Sequence, residues 1–206
     1  MVLVSLGLEP WQGQDFIDIM LTDMNQIFFV RHGESEANRL DMCAGHTDVA
    51  LTEKGIDQAR QAGQELVDSG QKIDLIISSP LKRAHSTAVI IARALQYPED
   101  EIMIEDDAIE RFRGDLEGKP SSAQDGMTNA EYIEHGAESE ADMLARAKRL
   151  LEKVKKLEGE SCLIVSHNQF GQTLVAYTRG MARGEVEKLP NAHVFPLDIS
   201  MESWKI

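Results

Sequence analysis

The residues best suited to chemistry begin with Arg31, His32 and Gly33, directly after the apolar run from Ile27 to Val30. Such a run predicts a buried strand. Ligands bind at the carboxyl ends of strands in α/β sheets, so these side chains predict a site. Arginine presents a planar fork to phosphate or carboxylate, histidine acts as nucleophile or base near neutral pH, and glycine lets backbone approach a ligand. Taken alone, these three residues are better explained as the end of a strand at the surface. The prediction of a site therefore depends on partner residues elsewhere in the chain.

Two further predicted strands end in a similar way. The apolar run 162–165 leads to His167, and the run 75–77 leads into a helix that begins with Lys82 and Arg83. Cations in a first helical turn oppose the macrodipole, but an anion bound at that terminus would make their position favourable. We therefore assign Arg83 to a binding site and expect Lys82 to be solvated.

The elements that must position these residues alternate between strand and helix. Thr52 predicts the N-cap of a helix that ends at Gly70. Ser79 with Pro80 predicts the start of a second helix, which continues to about Leu95. Further expected elements are a strand at 102–104, an irregular polar stretch at 110–138, an amphipathic helix through 144–154, a strand at 161–166, a helix at 169–179 and a strand at 194–197.

This alternation predicts an α/β fold, a three-layer sandwich with a mostly parallel central sheet flanked by helices. A chain of 206 residues is long enough for one domain with a substantial core. We expect that domain to span residues 24–206. Residues 1–23, which Pro10 and two glycines interrupt, are expected to be an N-terminal extension with no assigned role.

Composition excludes several classes of partner. A net charge of −14 argues against a broad surface for nucleic acid or anionic membrane, so cations for an anionic ligand must be concentrated in one pocket. No segment approaches the roughly 20 apolar residues of a membrane helix, and the N-terminus lacks a basic region typical of a secretory signal. We expect a cytoplasmic protein. Cys43 and Cys162 have no metal-site or disulfide spacing, and Cys162 is expected to be a core thiol.

Five separated motifs follow one another along the chain. They are Arg31 to Ser35 with Asn38; Gly45, Asp48, Leu51, Thr52, Gly55 and Ala59; Ser78 to Leu81 with Arg83, Ala84, Thr87 and Ala88; Glu110, Gly114, Glu117 and Gly118; and Ser166 with His167. In this order they resemble the motifs of the histidine phosphatase superfamily, which has the phosphoglycerate-mutase-like fold. The resemblance covers roughly Asn25 to the C-terminus, and five ordered motifs are far more specific than one.

The resemblance implies that His32 is a nucleophile that carries the phosphoryl group as phosphohistidine, with its other ring nitrogen held by a backbone acceptor. Glu110 would be the general acid and base, with a pKa raised by burial, and His167 the third catalytic residue. No metal or cofactor is implied, since arginines and a histidine supply positive charge. The implied phosphate-binding residues are Arg31, Asn38 and Arg83.

Two positions depart from the family pattern. Asn168 stands where many relatives have glycine after the second histidine, and Leu116 stands where many have an aromatic residue. The backbone amide of Asn168 can still point at the phosphate, and its side chain would add a donor or narrow the pocket. Leu116 concerns recognition of the leaving group. The further substrate-pocket residues that we expect are Ser35, Gly45 and Asn168.

The resemblance leaves a phosphatase and a mutase open, because both share this site. Only a short polar lid, Lys119 to Gly136, separates Glu110 from the long helix before His167. Such a lid should admit water, which favours a phosphatase that acts on a small-molecule phosphomonoester. Mutase activity is the alternative, and a noncatalytic phosphoryl-binding module is less expected because no charged residue of the motifs is missing. The substrate stays open among sugar phosphates, nucleotide-pathway monoesters, phosphoglycerates and protein phosphohistidine.

Overall fold

Five strands form one sheet in the computed structural model, which describes Met24 and residues 26–197. The strands are β1 (Gln26–Arg31), β2 (Leu75–Ser78), β3 (Met103–Ile104), β4 (Ser161–Ser166) and β5 (Val194–Leu197). The predicted strands are confirmed, and β5 pairs antiparallel with β1 while the other pairings are parallel. The order across the sheet is β3-β2-β4-β1-β5. The predicted extension, residues 1–23, lies outside the described residues.

Helices connect the parallel strands, as the alternating pattern predicts. None of the helices described has the length and apolar character that a membrane crossing requires. The short 3-10 helices are Glu99–Glu101, Asp106–Ala108, Gly114–Leu116, Ser121–Gln124 and Arg183–Glu185. The α-helices are α1 (Glu36–Arg39), α2 (Glu53–Asp68), α3 (Lys82–Leu95), α4 (Asn129–Glu134), α5 (Glu140–Val154) and α6 (Asn168–Arg179).

The sheet is the middle layer of three because both of its faces are apolar. All residues of β4 are buried, and successive side chains of a strand point to opposite faces. Cys162 and Ile164 pack in the core that contains the buried side chains of α5 and α6. Leu163 and Val165 pack in a second core with α2 and α3. The predicted sandwich and the predicted core position of Cys162 are confirmed.

The two helices predicted from caps begin differently. Thr52 caps α2 as predicted, because its hydroxyl accepts a hydrogen bond from the amide of Gly55 at 3.0 Å. The predicted N-cap at Ser79 is wrong, since α3 begins at Lys82. There the carboxylate of Asp48, from a distant loop, accepts the Lys82 amide at 2.8 Å. A tertiary contact therefore replaces the local cap.

Residues 110–138, which we call the roof segment, fold back on themselves with a small core of their own. Gly114 has a φ of +57°, and a Cβ there would collide with the carbonyl oxygen of His135. The ring of Tyr132 packs under the guanidinium of Arg111 at 4.1 Å. Backbone hydrogen bonds join Cys43 to this segment at its residues 118 and 119. The stretch that looks irregular in sequence is thereby held in a definite position.

The apolar layer between the sheet and α5 should dominate stability. Leu150 is fully buried in that layer, whereas Leu40 has 59% of its surface exposed. We expect Leu150→Ala to lower the free energy of unfolding by about 2–5 kcal/mol, because the truncation leaves a cavity. Leu40→Ala, the matched control, should change it by less than about 0.5 kcal/mol in chemical denaturation. Equal losses in the two variants would contradict this description of the core.

Candidate active site

The register of β1 and β4 places the two histidines side by side. Arg31 pairs with Ser166 across the two parallel strands, so the next residues, His32 and His167, leave the sheet at the same edge. Their ring centroids are 5.2 Å apart. The neighbouring strand β2 ends beside them, and the Ser79 hydroxyl lies 2.7 Å from Nε2 of His167. The sheet therefore brings together two side chains that are far apart in sequence.

The hydrogen bonds of His32 define its tautomer. Nδ1 lies 2.6 Å from the carbonyl oxygen of Gly33, which only accepts, so Nδ1 carries the proton. Nε2 accepts a hydrogen bond from Nε of Arg83 at 3.2 Å and therefore carries a lone pair. Burial, with the charges of Arg83 and Arg31, holds the pKa of His32 well below its usual value. At neutral pH the ring is uncharged, with Nε2 in the nucleophilic form.

Close backbone packing fixes the loop that carries His32. A Cβ on Gly33 would collide with the carbonyl of Gly55 in the first turn of α2. The Gly33 amide also donates to the hydroxyl of Thr87 on α3, at 3.1 Å. Glycine is needed here because two backbone segments approach within contact distance.

Arg83 reaches the site from the first turn of α3 and is 2% exposed. Its guanidinium donates to the carbonyl oxygens of Thr47, Ala44 and Gly45 at 2.8–2.9 Å. Burial lowers the pKa of Arg83 to about 10, while the carboxylate of Glu110 opposes that shift, so the group stays charged at neutral pH. Lys82 is exposed, as predicted.

Arg31 is the last residue of β1, directly before His32, and is also buried. Its Nη1 donates to the carbonyl oxygen of Leu189 at 2.7 Å, and its Nε is buried without a hydrogen-bond partner. Burial lowers the pKa of Arg31, and the charge of Glu110 counteracts that effect. Asn168 holds the same loop, because its side-chain oxygen accepts the Leu189 amide at 3.0 Å.

Glu110 sits at the N-terminus of α6. Its carboxylate accepts the amides of Gln169 at 3.2 Å and Phe170 at 3.1 Å, as well as its neighbouring amide from Arg111 at 2.9 Å. Burial raises the pKa of Glu110, but the charge of Arg113 and these amides outweigh it, so the pKa is lowered overall. The predicted raised pKa is therefore wrong for this arrangement, since the helix terminus stabilises the ionised form.

A cavity of about 280 Å³ contains most of the predicted site residues. His167 is fully buried beside His32 and does not form part of the cavity wall, and Gly45 lies behind Arg83, to which its carbonyl is bonded. A larger cleft of about 440 Å³ between α5 and α6 contains none of these residues. The predicted residues that line the smaller cavity are Arg31, His32, Ser35, Asn38, Arg83, Glu110 and Asn168.

Ser35 and Asn38 form the wall next to His32. Ser35 caps α1, with its hydroxyl accepting the Asn38 amide at 3.3 Å, and the Asn38 side-chain oxygen accepts the Ser35 amide at 3.2 Å. Asn191 adds a hydrogen bond from its side-chain amide to the carbonyl oxygen of His32 at 2.8 Å. His193, two residues further along the chain, is exposed, and its ring packs edge-to-face against Phe195.

Several wall residues were missed by the sequence analysis. Arg113, Gln124 and Lys188 line the cavity, the first two from the roof segment. The only sequence signal was an arginine three residues after Glu110, and no periodicity showed that it would fold inward. Within the described residues, no three His, Cys, Asp or Glu side chains are grouped in a way that could hold a metal ion.

The protonation state of His32 gives a direct test of the site. We expect its ring nitrogen NMR shifts to be those of a neutral imidazole, with the proton on Nδ1, at pH values around 6.5, the ordinary histidine pKa. The cause is burial together with two neighbouring guanidiniums. The same residue in denaturant should titrate near 6.5 and serves as the control. Half-protonation near 6.5 in the folded protein would contradict the geometry.

Comparison with known proteins agrees with the fold and the motifs. A model of the histidine phosphatase superfamily (branch 1) matches residues 27–206. The uncharacterized phosphatase PhoE of Bacillus subtilis (strain 168) is 33% identical over 188 residues, which cover 89% of this chain and 93% of that protein. A phosphoglycerate mutase of Schizosaccharomyces pombe is 30% identical over 186 residues, which cover 84% of this chain and 88% of that protein. The solved alpha-ribazole phosphatase of Shigella flexneri is 25% identical with a TM-score of 0.71, and the match covers 86% of this chain and 92% of that one. The chain thus belongs to the histidine phosphatase superfamily, as its five motifs predict.

Proposed function

We propose that this protein is a metal-independent phosphomonoester hydrolase that acts through a phosphohistidine on His32. The observation that carries the proposal is the uncharged imidazole of His32. Its protonated Nδ1 donates to the backbone carbonyl oxygen of Gly33, and its Nε2 carries a lone pair and faces Arg83. The cavity around this ring also contains Arg31 and Glu110. An uncharged nucleophile, flanking cations and an acid in one cavity are what transfer of an anionic phosphoryl group requires.

In the first step, Nε2 of His32 forms a bond to phosphorus as the bond from phosphorus to the ester oxygen breaks. Glu110 in its protonated form gives its proton to that oxygen, and an alcohol leaves. In the second step a water attacks the phosphohistidine, Glu110 accepts the water's proton, and phosphate leaves His32. The residues proposed to hold the phosphoryl oxygens are Arg31, Asn38 and Arg83, which line the cavity. His167 is proposed to do so from its buried position beside His32, where its Nδ1 has no hydrogen-bond partner.

The proton on Glu110 depends on the substrate. The protein groups alone favour the ionised carboxylate. A bound phosphoryl group brings negative charge into the same cavity, and a like charge raises the pKa of a carboxyl group. Binding of the anionic ester therefore promotes the protonated form of Glu110 that the first step needs.

The short lid over the site favours hydrolysis over mutase activity. The predicted lid, Lys119 to Gly136, contains the 3-10 helix Ser121–Gln124 and the six-residue helix α4. Many residues of this short lid are exposed, and a lid of this kind is expected to admit water to the phosphohistidine. The similarity to a phosphoglycerate mutase keeps intermolecular phosphoryl transfer on the same site as the second candidate. A noncatalytic binding module is less favoured, because an intact acid and nucleophile would then have no use.

The nucleophile can be tested with a generic aryl phosphate in the presence of EDTA. We expect hydrolysis of p-nitrophenyl phosphate without added metal, and we expect His32→Ala to reduce kcat by at least about 10³-fold. His193→Ala is the matched control, since His193 is exposed outside the cavity. Activity that requires added metal would contradict the mechanism. Rapid isomerisation of 3-phosphoglycerate with 2,3-bisphosphoglycerate, with little free phosphate, would favour the mutase.

The acid can be tested by varying the leaving group. We expect Glu110→Gln to slow phosphorylation of His32 by an alkyl phosphate by about 10²–10⁴-fold, measured by rapid quench in the first turnover. The loss should be much smaller with p-nitrophenyl phosphate, because a stable phenolate needs little protonation. Glu134→Gln, at an exposed position of α4, is the control. Equal losses with both esters would show that Glu110 does not protonate the leaving group.

A further inference from the structure

Arg113 is a buried cation in the cavity, and the proposed chemistry gives it no contact with the substrate. Its side chain is 8% exposed and lines the same cavity as His32 and Glu110. Among the described residues no carboxylate lies within ion-pair distance of its guanidinium, in contrast to Arg146, which pairs with Glu138 at 2.6 Å. Its Nε is buried and has no hydrogen-bond partner. The carboxylate of Glu110 interacts with this charge only from beyond ion-pair distance. A buried cation without a carboxylate in direct contact is costly, which indicates that an anion completes its environment.

Neutral groups hold Arg113 in place. Its Nη1 donates to the side-chain oxygen of Gln124 at 2.7 Å, and the hydroxyl of Tyr132 donates to the same oxygen at 2.8 Å. The guanidinium is therefore anchored from one side while its charge is not neutralised. Arg111, the other buried arginine of the roof segment, donates to the backbone carbonyl oxygen of Glu138 and the side-chain oxygen of Asn129 at 2.8–2.9 Å, and its Nη1 is also buried without a partner. It differs from Arg113 because it does not line the cavity, so a ligand there cannot reach it.

The position of Arg113 points to the leaving group rather than to the phosphoryl group. The proposed phosphate cations, Arg31 and Arg83, flank His32. Arg113 instead belongs to the segment of Glu110, which is proposed to protonate the leaving oxygen, and it lines the wall with Gln124. A ligand that extends from His32 past Glu110 would therefore meet Arg113.

The charges around Arg113 allow an anion there. Asp41 and Asp125 also line the cavity, but both are exposed, so water and salt screen their charges. Lys188 is exposed at the same cavity and adds a second positive charge. The carboxylate of Glu110 already accepts hydrogen bonds from three backbone amides and makes no direct hydrogen bond with Arg113 among the described contacts.

We propose that Arg113 is a specificity-determining residue that binds an anionic group, a carboxylate or a second phosphoryl group, on the leaving group of the substrate. The inference rests on the proposed phosphatase function and deepens it. The cavity of about 280 Å³ limits the substrate to a small ester, so the enzyme selects small organic phosphates that carry a second negative charge.

The test uses three esters of similar size that differ in the charge of the leaving group. These are phosphoglycolate with a carboxylate, ethyl phosphate with no charge, and phosphoethanolamine with an ammonium group. We expect the wild-type kcat/KM for phosphoglycolate to exceed that for ethyl phosphate by about tenfold or more, as one charge-assisted hydrogen bond provides. Phosphoethanolamine should be the poorest substrate. A second phosphoryl group is tested by replacing phosphoglycolate with ethylene glycol bisphosphate.

Arg113→Gln should reduce the preference for phosphoglycolate over ethyl phosphate by about tenfold or more, and Arg113→Lys should restore part of it. Taking the ratio at one pH removes the part of any effect on Glu110 that the two esters share. The affinities of the two esters measured by calorimetry, which need no proton transfer from Glu110, test the remainder. Arg39→Gln is the matched control, because it removes the same charge from an exposed side chain outside the cavity. An unchanged ratio in both Arg113 variants, or a wild-type preference for the neutral or cationic ester, would overturn the proposal.

Binding separates this inference from the proposed function. If p-nitrophenyl phosphate and all of the esters resist hydrolysis, the phosphatase proposal fails. Calorimetry with phosphoglycolate and ethyl phosphate then still tests Arg113, since tighter binding of phosphoglycolate that Arg113→Gln removes would support the anion site. Equal binding of the two esters would overturn it. If p-nitrophenyl phosphate is hydrolysed through His32 but no charge preference exists, only the role of Arg113 fails.

Discussion

Positive charge that is buried without a carboxylate in ion-pair contact, among the residues that the structure describes, is the constraint on which the site depends. Arg31, Arg83 and Arg113 line one cavity, and the first two are satisfied in part by backbone carbonyl oxygens, which leave their full charge in place. Burying such charges is unfavourable unless a group of opposite charge pairs with them. The whole chain has a net charge of −14, so this cavity concentrates positive charge against the overall field. An entering anion is stabilised by each guanidinium that it approaches.

The same charges also determine the protonation state of His32, the proposed nucleophile. Burial disfavours the protonated, charged form of this imidazole, and the nearby charges of Arg83 and Arg31 disfavour it further. The pKa of His167 is likewise well below its usual value because of burial and the charge of Arg83. In the proposed mechanism, binding of the anion and the uncharged state of His32 that attack requires are therefore two consequences of a single electrostatic arrangement. The carbonyl of Gly33 completes it by holding the proton on Nδ1.

Glu110 shows how a local environment can reverse an expectation from burial alone. A buried carboxyl group in apolar surroundings has a raised pKa, but Glu110 faces the first amides of α6 and the charge of Arg113. The amides belong to α6, which is distant in sequence, and Arg113 belongs to the roof segment. In the proposed reaction the substrate's own charge then favours protonation, so the acid is prepared only when an ester is bound.

The sequence by itself determined the order of strands and helices, the three-layer architecture and most of the catalytic candidates, because apolar periodicity and ordered motifs are local signals. Only the tertiary structure decided the contacts between distant segments. The Asp48 carboxylate in place of Ser79 at the start of α3, the amides beneath Glu110 and the inward fold of Arg113 are examples. Each depends on which backbone groups and charges meet across the fold, and a linear sequence does not encode those distances in any local pattern.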